Sequence, residues 1–214
     1  IGVSMDRIKS SIPFVGLHAH SVAGSVFDGF GYPQDHMDFA YKNGMGALAL
    51  TDHGNMNGLA YQITHAKKMK EAGKEFKPIF GVEAYFVPSV EKWKEEYEQA
   101  KLDKKKARTL STDDKVAAED ENASKTKTKN KINARRHLVL LAQNQVGLNN
   151  LFKIISASHQ GDNFYRYPRV DYKLLEECGE GVIASSACLG GVYAGDYWDN
   201  RDNGEEAVLS AMRE

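Results

Sequence analysis

The sequence predicts an α/β fold with largely parallel strands. Two observations carry this reading: short apolar runs alternate with amphipathic segments along most of the chain, and glycine or proline marks the joints between them. A third observation points the same way: four apolar runs carry His, Asp, Glu or Cys at or near their ends, where α/β folds build their sites.

Phe14 to Leu17 reads as the first strand. After a glycine-rich turn, the stretch YPQDHMDFAYKNG reads as a helix opened near Pro33, whose missing N–H costs nothing in a first turn, and closed by Gly44. Ala47 to Thr51 is an almost wholly apolar second strand. From Leu59 to Ala72 apolar residues recur at helical spacing with Lys67, Lys68 and Lys70 outside; Gly73 ends that helix, and Pro78 to Val87 forms a third strand.

The pattern breaks between Ser89 and Arg136, where 14 basic and 10 acidic residues make 24 charged positions out of 48. This stretch reads as an insertion, with Glu91 to Leu110 as a solvated helix whose mixed charges pair along one face. Ser111 to Asn133 has almost no apolar anchor and is expected to be disordered. Its alternating lysines, Lys125, Lys127, Lys129 and Lys131, read as a solvated loop in preference to a phosphate contact.

Order returns with the strand HLVLLA from His137, the helix Leu148 to Ser158, a Tyr/Arg/Pro connection, the helix DYKLLEEC, the strand Gly181 to Ser185 and a last helix from Asp202 to Glu214.

At 214 residues and 42% hydrophobic content, the chain can bury a sizeable core. A formal net charge of -1 gives no global electrostatic reason to bind nucleic acid, so any such contact must be local. Cys178 and Cys188 stand in a chain without a signal-peptide pattern, which argues against a disulfide framework and for a cytoplasmic protein. No stretch approaches the roughly 18 apolar residues of a membrane span.

The chemistry sits at the ends of the runs. In Leu17-His18-Ala19-His20, residues two apart in an extended segment point the same way, so His18 and His20 can offer two imidazoles to one metal cluster. A polar strand end satisfied by hydrogen bonds explains the pair equally well, and Asp28 after a short loop can add an oxygen. The strand ALALT delivers Asp52, His53 and Gly54 at its tip, and burying such groups without a partner is expensive. Glu83 is embedded in an apolar strand, where it must meet a cation, either a metal or a Lys or Arg. Cys188 follows the run ending at Ser185 and enters a glycine-rich turn; a lone cysteine is more often a small buried hydrophobe than a ligand. His36 and His65 fall within helices and read as ordinary residues. His159, Arg166 and Arg169 are candidate phosphate or DNA contacts, and for His159 a histidine satisfied at a helix C-terminus is the plain alternative.

The segments FVGLHAHS, FDG, ALALTDHGNMNGL, KPIFGVEAYFVP, HLVLLAQNQVGLNNLFKI, YRYPRVDYKLLEE and EGVIASSACLGG, in this order, resemble the PHP (polymerase and histidinol phosphatase) domain found at the front of bacterial DNA polymerase III alpha subunits. The resemblance implies one domain over residues 1–214, a distorted β/α (TIM-like) barrel with the charged insertion at 89–136. It makes His18, His20, Asp28, His53, Glu83, His137 and Cys188 the ligands of two or three divalent ions, zinc, manganese or iron, with Asp52 a catalytic or supporting carboxylate beside a catalytic His53. No Asp-x-His follows Cys188, where the family places its last two ligands, so barrel and ligand set are expected to be incomplete at the carboxyl end.

The implied activity is phosphate-ester hydrolysis, acting in the intact polymerase as a 3′-5′ proofreading exonuclease. A metal-stabilised scaffold without activity and a free-standing phosphatase of the histidinol phosphate type are the alternatives. Implied partners are DNA and replisome subunits such as the sliding clamp or a proofreading subunit; magnesium would serve the polymerase region, which is not in this sequence. The proposed ligands should converge on one pocket although they span residues 18 to 188.

Overall fold

The computed structural model describes residues 14–110 and 135–213. Its elements, in chain order, are α1 (Pro33–Lys42), β1 (Ala47–Leu50), α2 (Leu59–Glu71), β2 (Lys77–Phe86), α3 (Val90–Leu110), β3 (Arg136–Ala142), α4 (Gln145–Ser158), β4 (Phe164–Tyr165), β5 (Tyr167–Val170), α5 (Tyr172–Cys178), β6 (Val182–Ser185), α6 (Val192–Asn200) and α7 (Glu205–Ala211). The fold is α/β, as the alternation of runs predicts.

The strands are not largely parallel. β2 is the hub of a six-stranded sheet ordered β4-β5-β2-β3-β6, with β1 also paired to β2. β1 and β5 run parallel to β2, whereas β3 is antiparallel to both β2 and β6, and β4 is antiparallel to β5. Apolar runs carry no direction, so strand polarity was not legible in them.

The pleat of β2 sorts the molecule. Val82 and Ala84 turn toward a core shared with Leu140 of β3, Leu151 and Ile154 of α4 and Val170 of β5, with Leu174, Leu175 and Cys178 of α5 packed on it. Alternate residues project from the opposite face, which places Glu83 and Tyr85 there. On that face Val139 and Leu141 of β3 meet Ala49 of β1.

Several elements depart from the sequence reading. Phe14 to Leu17 is not a strand; it contributes a single bridge from Gly16 to Leu48. The Tyr/Arg/Pro connection holds the β4–β5 hairpin, turned by Arg166 at φ 60°, a left-handed conformation that no glycine or Asn-Gly pair announces. α6 was not anticipated, and the terminal helix is confined to Glu205–Ala211.

The charged segment is also more than a solvated face. α3 buries Trp93 and Tyr97 with Val87 and Val90, and its opening is held by the Asp171 carboxylate, which accepts a hydrogen bond from the Val90 N–H at 3.0 Å. Ser111 to Asn133 lies outside the described residues.

Candidate metal centre

Three backbone junctions gather the site. Beyond Leu50 the chain leaves β2 and rejoins it at a bridge between His53 and Glu83. There the Glu83 N–H donates to the Asp52 carbonyl at 3.1 Å and the Gly54 N–H to the Glu83 carbonyl at 2.8 Å. Gly54 has φ +65°, and a Cβ there would stand 2.8 Å from Pro168 Cγ, so glycine is required on both counts.

The second junction ties the extended His18–His20 stretch to β1 through the Ala49 N–H to the Gly16 carbonyl and the Thr51 N–H to the Ala19 carbonyl, each 2.8 Å. Ala19 packs on the apolar cluster of Ala40, Leu48 and Leu50, which leaves the histidines on either side to face the pocket. The third joins the start of β3 to the turn after β6, with the His137 N–H donating to the Gly190 carbonyl at 2.8 Å.

Glu83, with no exposed surface, is the centre. Its Oε2 lies 3.1 Å from His18 Nε2, 3.1 Å from His20 Nε2 and 3.0 Å from His53 Nδ1, while Oε1 lies 2.8 Å from His137 Nδ1. Cys188 Sγ sits 3.6 Å from His137 Nδ1 and 3.8 Å from Glu83 Oε1. Asp28, more exposed, reaches His53 Nε2 with Oδ2 at 2.7 Å. The rings of His20 and His53 stack at 4.2 Å.

The electrostatics are those of a carboxylate inside a ring of imidazoles. Burial pushes the Glu83 carboxyl up, but His137, His18, His20 and His53 overcome it and hold the group well below the usual carboxylate range. Glu83 raises the His53 imidazole above its ordinary value, with burial opposing and Asp28 adding to the effect. Burial also raises the phenol of Tyr85, with Arg135 pulling against it.

These contacts are short but badly aimed for hydrogen bonding. His18 Nε2, His20 Nδ1, His53 Nδ1 and Glu83 Oε2 are buried without a partner of acceptable geometry. Buried polar atoms are ordinarily satisfied, and three of these orphans, His18 Nε2, His53 Nδ1 and Glu83 Oε2, lie together. A divalent cation fits, because the donors fall into three overlapping triads whose ligand atoms lie within 4.8 Å of one another: His18, His20 and Glu83; His20, Asp28 and His53; and His53, Glu83 and His137.

Asp52 is 3% exposed and is directed at the loop between the first two triads. Its Oδ1 accepts from the Ser21 N–H at 2.6 Å and the Ser25 hydroxyl at 3.0 Å, and its Oδ2 from the Ser21 hydroxyl at 2.8 Å. The Ser25 hydroxyl in turn accepts from the His53 N–H at 3.1 Å. Ser21 and Ser25 escaped the sequence reading, which looked only for ligand types.

The expected phosphate contacts are not gathered here. Arg169 has no exposed surface; its guanidinium lies 3.6 Å over the Trp93 ring and donates to the Tyr165 and Tyr167 carbonyls. Burial lowers it to about 10, and it holds the α3 cluster to the hairpin instead of meeting solvent. His159 caps α4 with Nδ1 2.9 Å from the Ile155 carbonyl and stacks on Phe164. Arg166 lies over Tyr165. Both cysteines are free, with Cys178 in the apolar core and Cys188 exposed at the pocket.

The chain matches the family model described as the PHP domain over residues 16–209. It is 34% identical over 179 residues to the DNA polymerase III subunit alpha of Borreliella burgdorferi and to that of Aquifex aeolicus, covering 84% of this chain and 12% of each relative. The Helicobacter pylori subunit is 33% identical over 184 residues, 86% of this chain. The chain thus spans about an eighth of the length of these relatives. A solved Bifidobacterium adolescentis protein described as a candidate metal-dependent phosphoesterase aligns with a TM-score of 0.40 at 17% identity, over 92% of this chain and 73% of that one.

Proposed function

Because this chain belongs to the PHP domain family, we propose that the pocket around Glu83 is a polynuclear metal centre that hydrolyses phosphate esters, acting in the intact polymerase as a 3′-5′ exonuclease. The observation that carries the reading is the meeting of three buried, unpartnered atoms, His18 Nε2 and His53 Nδ1 at Glu83 Oε2, with His20 Nε2 3.1 Å from the same oxygen. His18, His20 and Glu83 would hold one ion, His20, Asp28 and His53 a second, and His53, Glu83 and His137 a third with the Cys188 thiolate beside it.

Zinc, manganese or iron suits this mixed nitrogen, oxygen and sulfur set, and when bound would supply Lewis acidity toward the phosphoryl oxygens and a nucleophile at neutral pH. The chain's own part is orientation. His53 is shared by two triads and stacks on His20, so its ring position fixes the spacing of the whole set. Asp52 is a positioning residue in this reading: by gripping Ser21 and Ser25 it holds the His18–His20 stretch and the Asp28 turn against His53. The DNA substrate, association with the sliding clamp or a proofreading subunit, and a cytoplasmic setting belong to the same proposal.

The test has two parts. Elemental analysis of the purified chain should find zinc, manganese or iron, and a version extended with the downstream coding sequence should release mononucleotides from the 3′ end of a labelled single strand when loaded with manganese. Metal binding without release in the extended protein would leave a metal-stabilised scaffold. Absence of metal from both proteins would overturn the metal centre itself.

A further inference from the structure

The exposed edge of the donor set carries apolar side chains that the fold leaves in water. The turn that presents Asp28 also presents Val26, 75% exposed, Phe27, fully exposed, and Phe30, 87% exposed. Asp28 reaches His53 Nε2 at 2.7 Å, and consecutive Cα atoms stand only about 3.8 Å apart, so Phe27 is rooted beside the donors. Its ring packs on nothing, and both of its faces are open.

The backbone that carries these side chains is tied down. The Asp28 and Gly29 N–H groups donate to the Ser25 carbonyl at 3.3 and 2.6 Å, and the Val22 N–H donates to the Gly31 carbonyl at 2.9 Å. Gly29 approaches Ser21 so closely that a Cβ there would stand 2.4 Å from the Ser21 carbonyl oxygen. The Asp52 carboxylate holds Ser21 and Ser25 in turn.

We propose that Phe27 and Phe30 are stacking faces for the base of a nucleotide whose phosphate is held at the metal centre, so that the site takes nucleotides in preference to phosphate esters without an aromatic ring. This rests on the pocket binding metal ions and phosphate as argued above.

Single exposed apolar residues are ordinary, but Val26, Phe27 and Phe30 together on one fixed turn mark a surface that receives something apolar. The occupant must also suit the polar half of the same turn. Asp28 is the only charged residue between Ser21 and Tyr32, its side chain is 54% exposed, and it forms a donor triad with His20 and His53. An apolar protein face laid on Phe27 and Phe30 would take that carboxylate out of water and offer the cations no anion in return. A nucleotide joins the two chemistries in one ligand: its phosphate goes to the ions, and its flat base meets the rings. Stacking of this kind is tolerant of sequence, because every base has a π-face. The preference is therefore for nucleotides as a class.

The experiment titrates the zinc-loaded chain with two ligands by calorimetry. One is 2-aminopurine deoxyriboside 5′-monophosphate, whose fluorescence is quenched when its base stacks; the other is deoxyribose 5-phosphate, which has the same phosphate and sugar without a base. The wild type is compared with a Phe27→Ala, Phe30→Ala pair and with a Phe27→Leu, Phe30→Leu pair, which keeps apolar bulk but has no π-face. Zinc content is measured on each sample. The wild type is expected to prefer the base-bearing ligand by at least about fivefold, the lower end for one stacked base, and to quench its fluorescence. Both variant pairs should lose the preference and the quenching while keeping wild-type zinc content and wild-type affinity for deoxyribose 5-phosphate.

Equal affinity of the wild type for the two ligands, or a preference that survives in full in either variant pair, would overturn the proposal. A wild type that holds no zinc, or that holds zinc and binds neither ligand, would show the failure of the underlying pocket reading, and the proposal would fall with it. If the alanine pair fails to fold, the leucine pair gives the same comparison.

Discussion

His137 Nδ1 lies 2.8 Å from Glu83 Oε1, although His137 is at the beginning of its strand and Glu83 is well inside another. The cause is the antiparallel pairing of β3 with β2, which sets His137 opposite Tyr85 and Val139 opposite Glu83. Residues opposite one another share a face, so the start of β3 is delivered to the pocket-lining end of β2. Glu83 then meets imidazoles from three separate stretches of chain, and its removal tests the whole set.

Replacing Glu83 with Gln keeps the volume but removes the charge and one of the two oxygens open to a cation. Glu83 belongs to two of the three donor triads. The expected outcome is a loss of metal affinity of at least about 100-fold, beyond the 10–100-fold usual for outer-shell changes. Competition with a chromophoric chelator measures it. Wild-type affinity in Glu83→Gln would sink the placement of Glu83 as a shared ligand.

Asp52→Ala should weaken the same site indirectly. Three hydrogen bonds to a buried carboxylate are lost, and the Ser21 N–H and hydroxyl are left inside the protein. A destabilisation of roughly 3 kcal/mol is expected from the loss of such charge-assisted bonds, together with a fall of about 10–100-fold in metal affinity. Urea unfolding of the chelated protein reads the first quantity and chelator competition the second. Intact metal affinity with full destabilisation would confine Asp52 to folding.

The sequence showed which residues were exceptional more readily than how they meet. Glu83 stood out because an apolar strand does not bury a carboxylate without a partner, and His53 and Asp52 because an apolar run ended on them; the structure brings Glu83 and His53 to 3.0 Å. The pairing of His18 with His20 was legible from the period of an extended chain, even though the expected first strand is only one bridge at Gly16. The antiparallel direction of β3 was not legible, so His137 could be assigned only by resemblance. Arg169 was misread as a phosphate contact because an arginine in a charged neighbourhood looks exposed, and only the tertiary position of Trp93 shows its guanidinium to be buried. Phe27 and Phe30 gave no signal, since an apolar side chain is expected inside and only the tertiary structure leaves these two uncovered.

Trp93→Ala tests whether α3 is anchored to the domain. Trp93 stacks on Tyr97 at 5.6 Å and covers the Arg169 guanidinium at 3.6 Å. Truncation leaves a cavity and uncovers a buried charge, at an expected cost of about 3–5 kcal/mol in unfolding free energy. Denaturant titration measures it. A change within about 0.5 kcal/mol, the range of an ordinary surface substitution, would return the segment to the status of a solvated insertion.

Gly54→Ala should damage fold and site together. Besides requiring a left-handed backbone from alanine, the new methyl would meet Pro168 Cγ at 2.8 Å and the Tyr85 ring at 3.3 Å. The expected cost is roughly 1–3 kcal/mol, with a loss of metal affinity because Gly54 follows His53 at the bridge to Glu83. An alanine variant as stable as the wild type would show that the bridge yields without strain.

The two cysteines separate structure from site. Cys178 packs among the apolar residues of the α4–α5 core, whereas Cys188 is exposed and lies 3.6 Å from His137 Nδ1. Alkylation requires the thiolate and access to it, so in chelated protein Cys188 should react roughly tenfold or more faster than Cys178. Metal bound beside His137 would engage the same sulfur as a thiolate ligand and remove its lone pair from reaction, so loading with zinc should slow Cys188 to the rate of Cys178 or below. Peptide mapping by mass spectrometry after timed alkylation, with and without chelator, resolves the two sites. His137→Ala supplies the control: if Cys188 is a ligand at that position, zinc should protect it less in the variant than in the wild type. Equal reactivity of Cys188 in loaded and chelated wild-type protein would remove the sulfur from the metal centre and leave the His and carboxylate donors to hold the ions alone.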